Sequence, residues 1–160
     1  MEPMSTYEGP TTGAGNTPAH EALLAELPGA TTLEPRADGL WMVAPALDVI
    51  AMAELMRRLE ARLCAITGFS LASGEAGIVY HYSLGSHSIN LRTDTRHRAL
   101  PSIAPLAPAA DWSEREIADL YGVGFAGHPD LARLIRPPSL PQGFFRDATT
   151  GGHRGEDSGR

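Results

Sequence analysis

Apolar residues recur every four positions from Leu47 through Ala51, Leu55 and Leu59 to Leu63, while Glu54, Arg57, Arg58, Glu60 and Arg62 fill much of the remainder. That spacing predicts an amphipathic helix. Downstream the period changes to two: Gly77–Leu84 and His87–Thr93 flank Gly85-Ser86, and Gly at the first central position suits a type II′ hairpin turn. In that register Leu84 faces His87, Tyr82 faces Ile89 and Tyr80 faces Leu91, giving one apolar, aromatic face and a second face with His81, Ser83, Asn90 and Arg92. Phe69–Ser73 is a further candidate strand, Ala30–Arg36 and Leu40–Val43 predict two strands about Ala37-Asp38-Gly39, and His20–Leu27 predicts a short helix stopped by Pro28-Gly29. Strands in meanders with segregated helices and no βαβ rhythm indicate an α+β fold, a two-layer domain with a mainly antiparallel sheet packed against helices.

The stretch from Asp111 to Gly122 gathers helix-boundary signals. Ser113 and Glu116 have capping-box spacing, Trp112 and Ile117 have staple spacing, and Gly122 stands where a left-handed cap belongs. A helix from about Glu114 to Tyr121 is expected, with Ile117, Leu120 and Tyr121 on one face and Arg115, Glu116 and Asp119 on the other, Arg115 and Asp119 forming an i,i+4 pair. In His128-Pro129-Asp130-Leu131-Ala132-Arg133-Leu134-Ile135, Pro129 suits a first helical position and Asp130 a helix N-terminus, so a second short helix ending at Pro137-Pro138 is expected. The two helices would set Arg115, Glu116, Asp119, His128, Asp130 and Arg133 side by side as a charged face.

Composition narrows what such a surface can meet. At 160 residues with 42% hydrophobic content, the sequence suits one compact domain, from 19 to 147, between flexible tails at 1–18 and 148–160. A net charge of −6 with scattered basic residues gives no footprint for nucleic acid or anionic lipid. Cys64 is the only cysteine, so an internal disulfide or an iron–sulfur cluster held by this protein's own thiolates is excluded. The most apolar stretch, Leu40 to Leu55, is interrupted by Pro45, Asp48 and Glu54, and the start with Glu2 and Glu8 lacks a secretory pattern. Membrane insertion and export are not expected, and a reducing, cytosolic setting fits.

The run Trp112-Ser113-Glu114-Arg115-Glu116, Asp119-Leu120-Tyr121-Gly122, Phe125, Gly127-His128-Pro129-Asp130-Leu131 and Arg133-Leu134 closely resembles the hallmark segment of the complex I 30 kDa subunit family. Weaker resemblance extends through the Tyr80–Arg92 hairpin, from roughly Ala46 to Asp147. It implies a cofactor-free structural subunit in the hydrophilic arm of a membrane-associated NADH:quinone oxidoreductase, peripheral on the cytoplasmic face of the inner membrane. Its partners would be the 49 kDa-type large subunit and iron–sulfur subunits, in a hetero-oligomer whose iron–sulfur clusters, flavin and quinone lie in other polypeptides. Homologous proteins of membrane-bound nickel–iron hydrogenases, with the metal centre in the large subunit, are the alternative. By the same resemblance a short-helix C-terminal segment docks on the partner through Trp112, Glu114, Arg115, Glu116, Asp119, Gly122, His128, Pro129, Asp130 and Arg133. The sequence departs from the family at Ala132, where a basic residue is usual, and at Phe144-Phe145-Arg146-Asp147, where a Pro-Leu-Arg-Lys-Asp run and a long tail are usual.

Other readings of these residues are weaker. Gly122-Val123-Gly124-Phe125-Ala126-Gly127 fits G-x-G-x-x-G but follows a helix, so a turn-forming loop is the better assignment. Glu114, Glu116 and His128 could serve a standalone acid–base enzyme, yet no nucleophile or metal-ligand set accompanies them. His81 and His87 fall on opposite hairpin faces and cannot share a metal, and Trp112, Tyr121 and Phe125 are read as a satellite core. With one thiol and no nucleotide-site context, the purified protein is expected to be colourless, metal-free and unable to oxidise NADH or hydrogen. Optical spectra and metal analysis check this, and a stoichiometric flavin, cluster or metal would contradict it.

Overall fold

The computed structural model describes residues 32–95 and 99–148. The expected helix His20–Leu27 and both expected tails, apart from residue 148, lie outside them. Strand β1 (Thr32–Arg36) turns back into β2 (Gly39–Val43), as the sequence predicts about Ala37-Asp38. Helix α1 spans Val49–Arg58, followed by β3 (Arg62–Ser70), β4 (Ala76–Leu84) and β5 (His87–Asp94). These strands form one sheet in the order β1-β2-β5-β4-β3, antiparallel except for the parallel pair β2 and β5. The β4–β5 register is the one expected, Leu84 with His87, Tyr82 with Ile89 and Tyr80 with Leu91, and Gly85 at the turn has φ 59°.

Helix α1 is shorter than the four-residue repeat implies. Asp48 caps it, accepting from the N–H groups of Ile50 at 3.1 Å and Ala51 at 3.0 Å, and it stops where Glu60 takes a left-handed φ of 57°. Leu63 therefore lies in β3, opposite Tyr82, and Phe69 and Ser70 end that strand instead of starting another. A register shift between Leu63 and Ala65 lets Leu63 and Ile66, three residues apart, both turn to the core. A spacing of four satisfies a helix face and a strand face alike, which is why the repeat runs past the real boundary.

A second, smaller sheet pairs β6 (Ala99–Pro101) with β7 (Gly124–Ala126) in parallel, and α2 (Ala110–Tyr121) connects them. This short β-α-β passage was not expected. It makes the second half of the glycine string a strand, placed after the helix and not ahead of one. One continuous core joins Met42, Met52, Met56, Ile78, Tyr80 and Leu91 of the large sheet and α1 to Ile103, Ile117 and Phe125. At Gly68 of β3 helix α2 packs tightly on the sheet: a Cβ there would stand 2.8 Å from the Tyr121 ring.

Helix α2 also begins earlier than expected. Ala109 is its N-cap without a side-chain bond, so Ser113 lies inside the helix and the capping box does not form. Trp112 is 69% exposed, so there is no staple to Ile117, and only Phe125 and, partly, Tyr121 of the expected aromatic trio join the core. The C-terminal cap is as expected, with Gly122 left-handed at φ 67° and its N–H bonded to the Ala118 carbonyl at 3.1 Å. After β7 the expected helix over 128–135 is absent; the backbone runs on without regular structure to the short helix α3 (Phe144–Ala148). Ser113→Ala should therefore change stability by less than about 0.5 kcal/mol, whereas Gly122→Val should cost at least about 1 kcal/mol by forcing a β-branched residue into the left-handed region. Chemical unfolding of both variants checks the contrast.

Candidate functional site

Three residues of α2 at i, i+4 and i+8 share one stripe: Asp111, Arg115 and Asp119. Each reaches the segment that follows β7. At the first rung the His128 ring Nε2 lies 3.3 Å from the Asp111 carbonyl and 3.5 Å from its Oδ1. At the second, Arg115 Nε donates to the Ala132 carbonyl at 3.1 Å. At the third, Asp119 Oδ2 accepts from three successive backbone N–H groups, of Leu134, Ile135 and Arg136, at 2.8, 2.9 and 3.0 Å. Residues 128–136 are thus laid along the helix, in the same direction, as a belt.

The belt continues around the helix C-terminus, whose last carbonyls need donors from outside the helix. The Gln142 amide donates to the Ala118 carbonyl at 2.9 Å, Gly143 N–H to the Asp119 carbonyl at 3.0 Å, and Arg146 to the Tyr121 carbonyl at 3.3 Å. Arg146 also sets a cation at the negative end of the helix dipole. Arg136 bonds the Leu140 carbonyl and stands 3.8 Å from Asp119 Oδ1, folding the belt back on itself.

This geometry corrects the expected charged face. Asp119 is not paired with Arg115, whose ion-pair neighbour is Asp111 at 3.9 Å. Asp119 is 4% exposed and Glu114 0%, so neither is a solvated surface charge. Burial pushes the Asp119 carboxyl up, but the N–H groups of Arg136, Leu134 and Ile135 and the Arg136 guanidinium together outweigh it and hold the group below the usual carboxylate range. Of the ten expected docking residues, Trp112, Glu116, Pro129, Asp130 and Arg133 are exposed. Arg115 is partly covered, Gly122 is a helix cap, and Glu114, Asp119 and the His128 side chain face inward. Sequence reasoning missed Leu131 at 39% and Ile135 at 51% exposure, two large apolar residues on the outside of the belt. Assigning 128–135 to a helix hid them.

Inside α2, Glu114 is a second organising point. Oε2 accepts from the Ser102 hydroxyl at 2.5 Å and Oε1 from the Ile103 N–H at 2.8 Å, tying the loop after β6 to the helix. His128 Nε2 is 3.7 Å from Oε2, while His128 Nδ1 accepts from the Asp130 N–H at 3.0 Å, which leaves the ring proton on Nε2. Burial pushes the Glu114 carboxyl up against the opposing pull of Ser102, Ile103 and His128. Burial and then the Glu114 charge push the Tyr80 and Tyr82 hydroxyls up, so both stay protonated, and neither hydroxyl has a hydrogen-bond partner among the described residues.

An open acid–base centre is not what this makes. Glu114 and His128 meet under cover, and Glu116 is exposed on the helix surface. On the other face of the large sheet His81 bridges Asn90, at 2.7 Å, and Thr67, at 3.0 Å, apart from His87 as expected. No group of three or more His, Cys, Asp or Glu side chains placed to hold a metal occurs among the described residues. None of the described helices is long and apolar enough to cross a membrane.

The segment that forms α2 and its belt is the one that resembles a known family, and comparison over a longer stretch decides the matter. The profile described as "Respiratory-chain NADH dehydrogenase, 30 Kd subunit" matches residues 42–151. The chain belongs to this 30 kDa subunit family. A relative from Caulobacter sp. (strain K31), named as a subunit of NADH-quinone oxidoreductase, is 35% identical over 125 residues, which cover 72% of this protein and 58% of that one. The alignment therefore takes in less than two thirds of the relative's length. Among solved structures the fold is similar to "Nqo5 of the trypsin-resistant fragment (1-134) in P63 form", with a TM-score of 0.56, 24% identity, and coverage of 70% of this protein and 96% of that one. It is also similar to a component of "the membrane-bound sulfane sulfur reductase (MBS), an archaeal respiratory membrane complex", with a TM-score of 0.64 and 21% identity over 81% of this protein and 80% of that one. Both likenesses concern the α+β fold.

Glu114 gives a test of the site. Its folded-state pKa is raised, so its contribution to stability is fully present below the ordinary Glu range and declines as pH rises through the raised value. Glu114→Gln can keep both bonds, accepting from Ile103 and donating to Ser102, and should flatten that decline. Glu114→Ala strands both partners and should cost at least about 2 kcal/mol at every pH. Unfolding measured as pH rises from the ordinary Glu range through neutrality separates the two variants.

Proposed function

We propose that this protein is a non-catalytic structural subunit of the hydrophilic arm of a membrane-associated NADH:quinone oxidoreductase, docking on the 49 kDa-type large subunit. The observation that carries the reading is the belt: a family-specific sequence is spent on fixing an irregular segment against a helix, with apolar side chains left outside. Leu131 and Ile135 on the belt, with Trp112, supply apolar area, and Glu116, Asp130 and Arg133 supply charges of both signs. Interfaces with large subunits use such a mixture, apolar anchors for affinity and charged pairs for register.

In this reading electron transfer from NADH to quinone runs through flavin and iron–sulfur clusters in partner subunits, and this protein supports it by assembly. A single cysteine is consistent with that division of labour. Association would be peripheral, on the cytoplasmic face of the inner membrane, without insertion of this protein. The Caulobacter relative bears the quinone oxidoreductase name, which favours that assembly over the hydrogenase type.

Co-purification of the full-length protein identifies the assembly. A large subunit lacking a nickel–iron cysteine set is expected, and one that has the set would move the protein to a hydrogenase-type complex. Within the interface, Leu131→Asp and Ile135→Asp should leave the unfolding midpoint nearly unchanged and weaken association by roughly tenfold or more each, since buried anchors carry most binding energy. Full assembly and activity in the double variant would contradict the docking reading.

A further inference from the structure

Asp119 has the chemistry of an anion bound in a backbone nest, but the anion is the protein's own side chain. Three consecutive N–H groups, 134 to 136, converge on one carboxylate oxygen within 2.8 to 3.0 Å. Such groups would otherwise have to find water, because the segment forms neither helix nor strand there. The second oxygen faces the Arg136 guanidinium at 3.8 Å, and the Asp119 backbone carbonyl accepts from Gly143 N–H at 3.0 Å. One residue of α2 thus grips the belt at two separate places, the amides of 134–136 and that of Gly143. One of the three residues so held, Ile135, is the more exposed of the two exposed large apolar residues on the belt.

A carboxylate enclosed this way has little left to offer a partner. Oδ2 is saturated and the residue is 4% exposed. We propose that Asp119 is a positioning residue, which fixes the register of segment 129–135 on α2 so that Leu131 and Ile135 reach the large subunit, and makes no contact with that subunit itself. This rests on the docking function proposed above and assigns Asp119 a different part in it from Arg133 or Ile135, which meet the partner directly. Preorganisation of this kind raises affinity by removing the ordering cost of the segment at the moment of binding.

The experiment compares full-length Asp119→Ala and Asp119→Asn with the parent protein by amide hydrogen exchange and by affinity for the large subunit of its own complex. Asp119→Ala should speed exchange at Leu134, Ile135 and Arg136 by roughly tenfold or more, with little change in β4 and β5, since the loss is local. Affinity should fall by a similar factor. Asp119→Asn keeps one acceptor oxygen and should fall between, which covers the case in which the alanine variant does not fold. A cycle with Ile135→Ala separates positioning from contact: if Asp119 acts through the belt, the two losses are less than additive, whereas an independent contact gives additive losses. Unchanged exchange at 134–136, undiminished binding by a loosened belt, or strict additivity each overturn the proposal. Failure of the docking reading looks different, because then the parent protein itself does not bind, whatever the exchange pattern.

Discussion

Backbone amides that belong to no helix or strand still need acceptors, and those of Leu134, Ile135, Arg136 and Gly143 find them on a single residue of one helix, Asp119. Helix α2 offers a stripe of residues, Asp111, Arg115 and Asp119, and a set of unsatisfied carbonyls at its end. The segment takes both. An irregular stretch is thereby fixed to the helix through hydrogen bonds, and Leu131 and Ile135 are left exposed.

The helix is in turn held from inside. Glu114 fastens the loop after β6, Gly68 admits Tyr121 to the sheet, and Ile117 and Ala118 fill the core. Charged residues of α2 and the belt therefore divide into those buried among this protein's own hydrogen-bond donors and those left at its surface. Asp119 and Glu114 are of the first kind, Glu116 and the belt residues Asp130 and Arg133 of the second. A buried carboxylate with several donors is costly to disturb because its removal strands every donor at once.

Much of the sheet was legible in the sequence. The β4–β5 register follows from alternation about Gly85-Ser86, and the β1–β2 turn from Ala37-Asp38-Gly39, because both are local and use turn residues with one main purpose. The helix boundaries were less so. Ser113 has a capping residue's identity but sits inside a helix begun by Ala109 and Ala110, and Leu63 continues a repeat that the backbone has left at Glu60. At 128–135 a Pro-Asp start suggested a helix, and the competing interaction came from Asp119, 15 residues earlier than Leu134, which no local pattern contains. Within the segment marked by the family resemblance, Glu116, Asp130 and Arg133 are exposed, whereas Glu114, Asp119 and the His128 side chain turn inward.

Whether the outside of the belt is what the partner meets can be seen most directly in a cryo-electron-microscopy structure of this protein within its assembly. The account predicts that Asp119 still holds the amides of 134–136 and that Leu131, Arg133 and Ile135 lie against the large subunit. A belt displaced from α2, with Arg115 and Asp119 paired to partner residues, would contradict it.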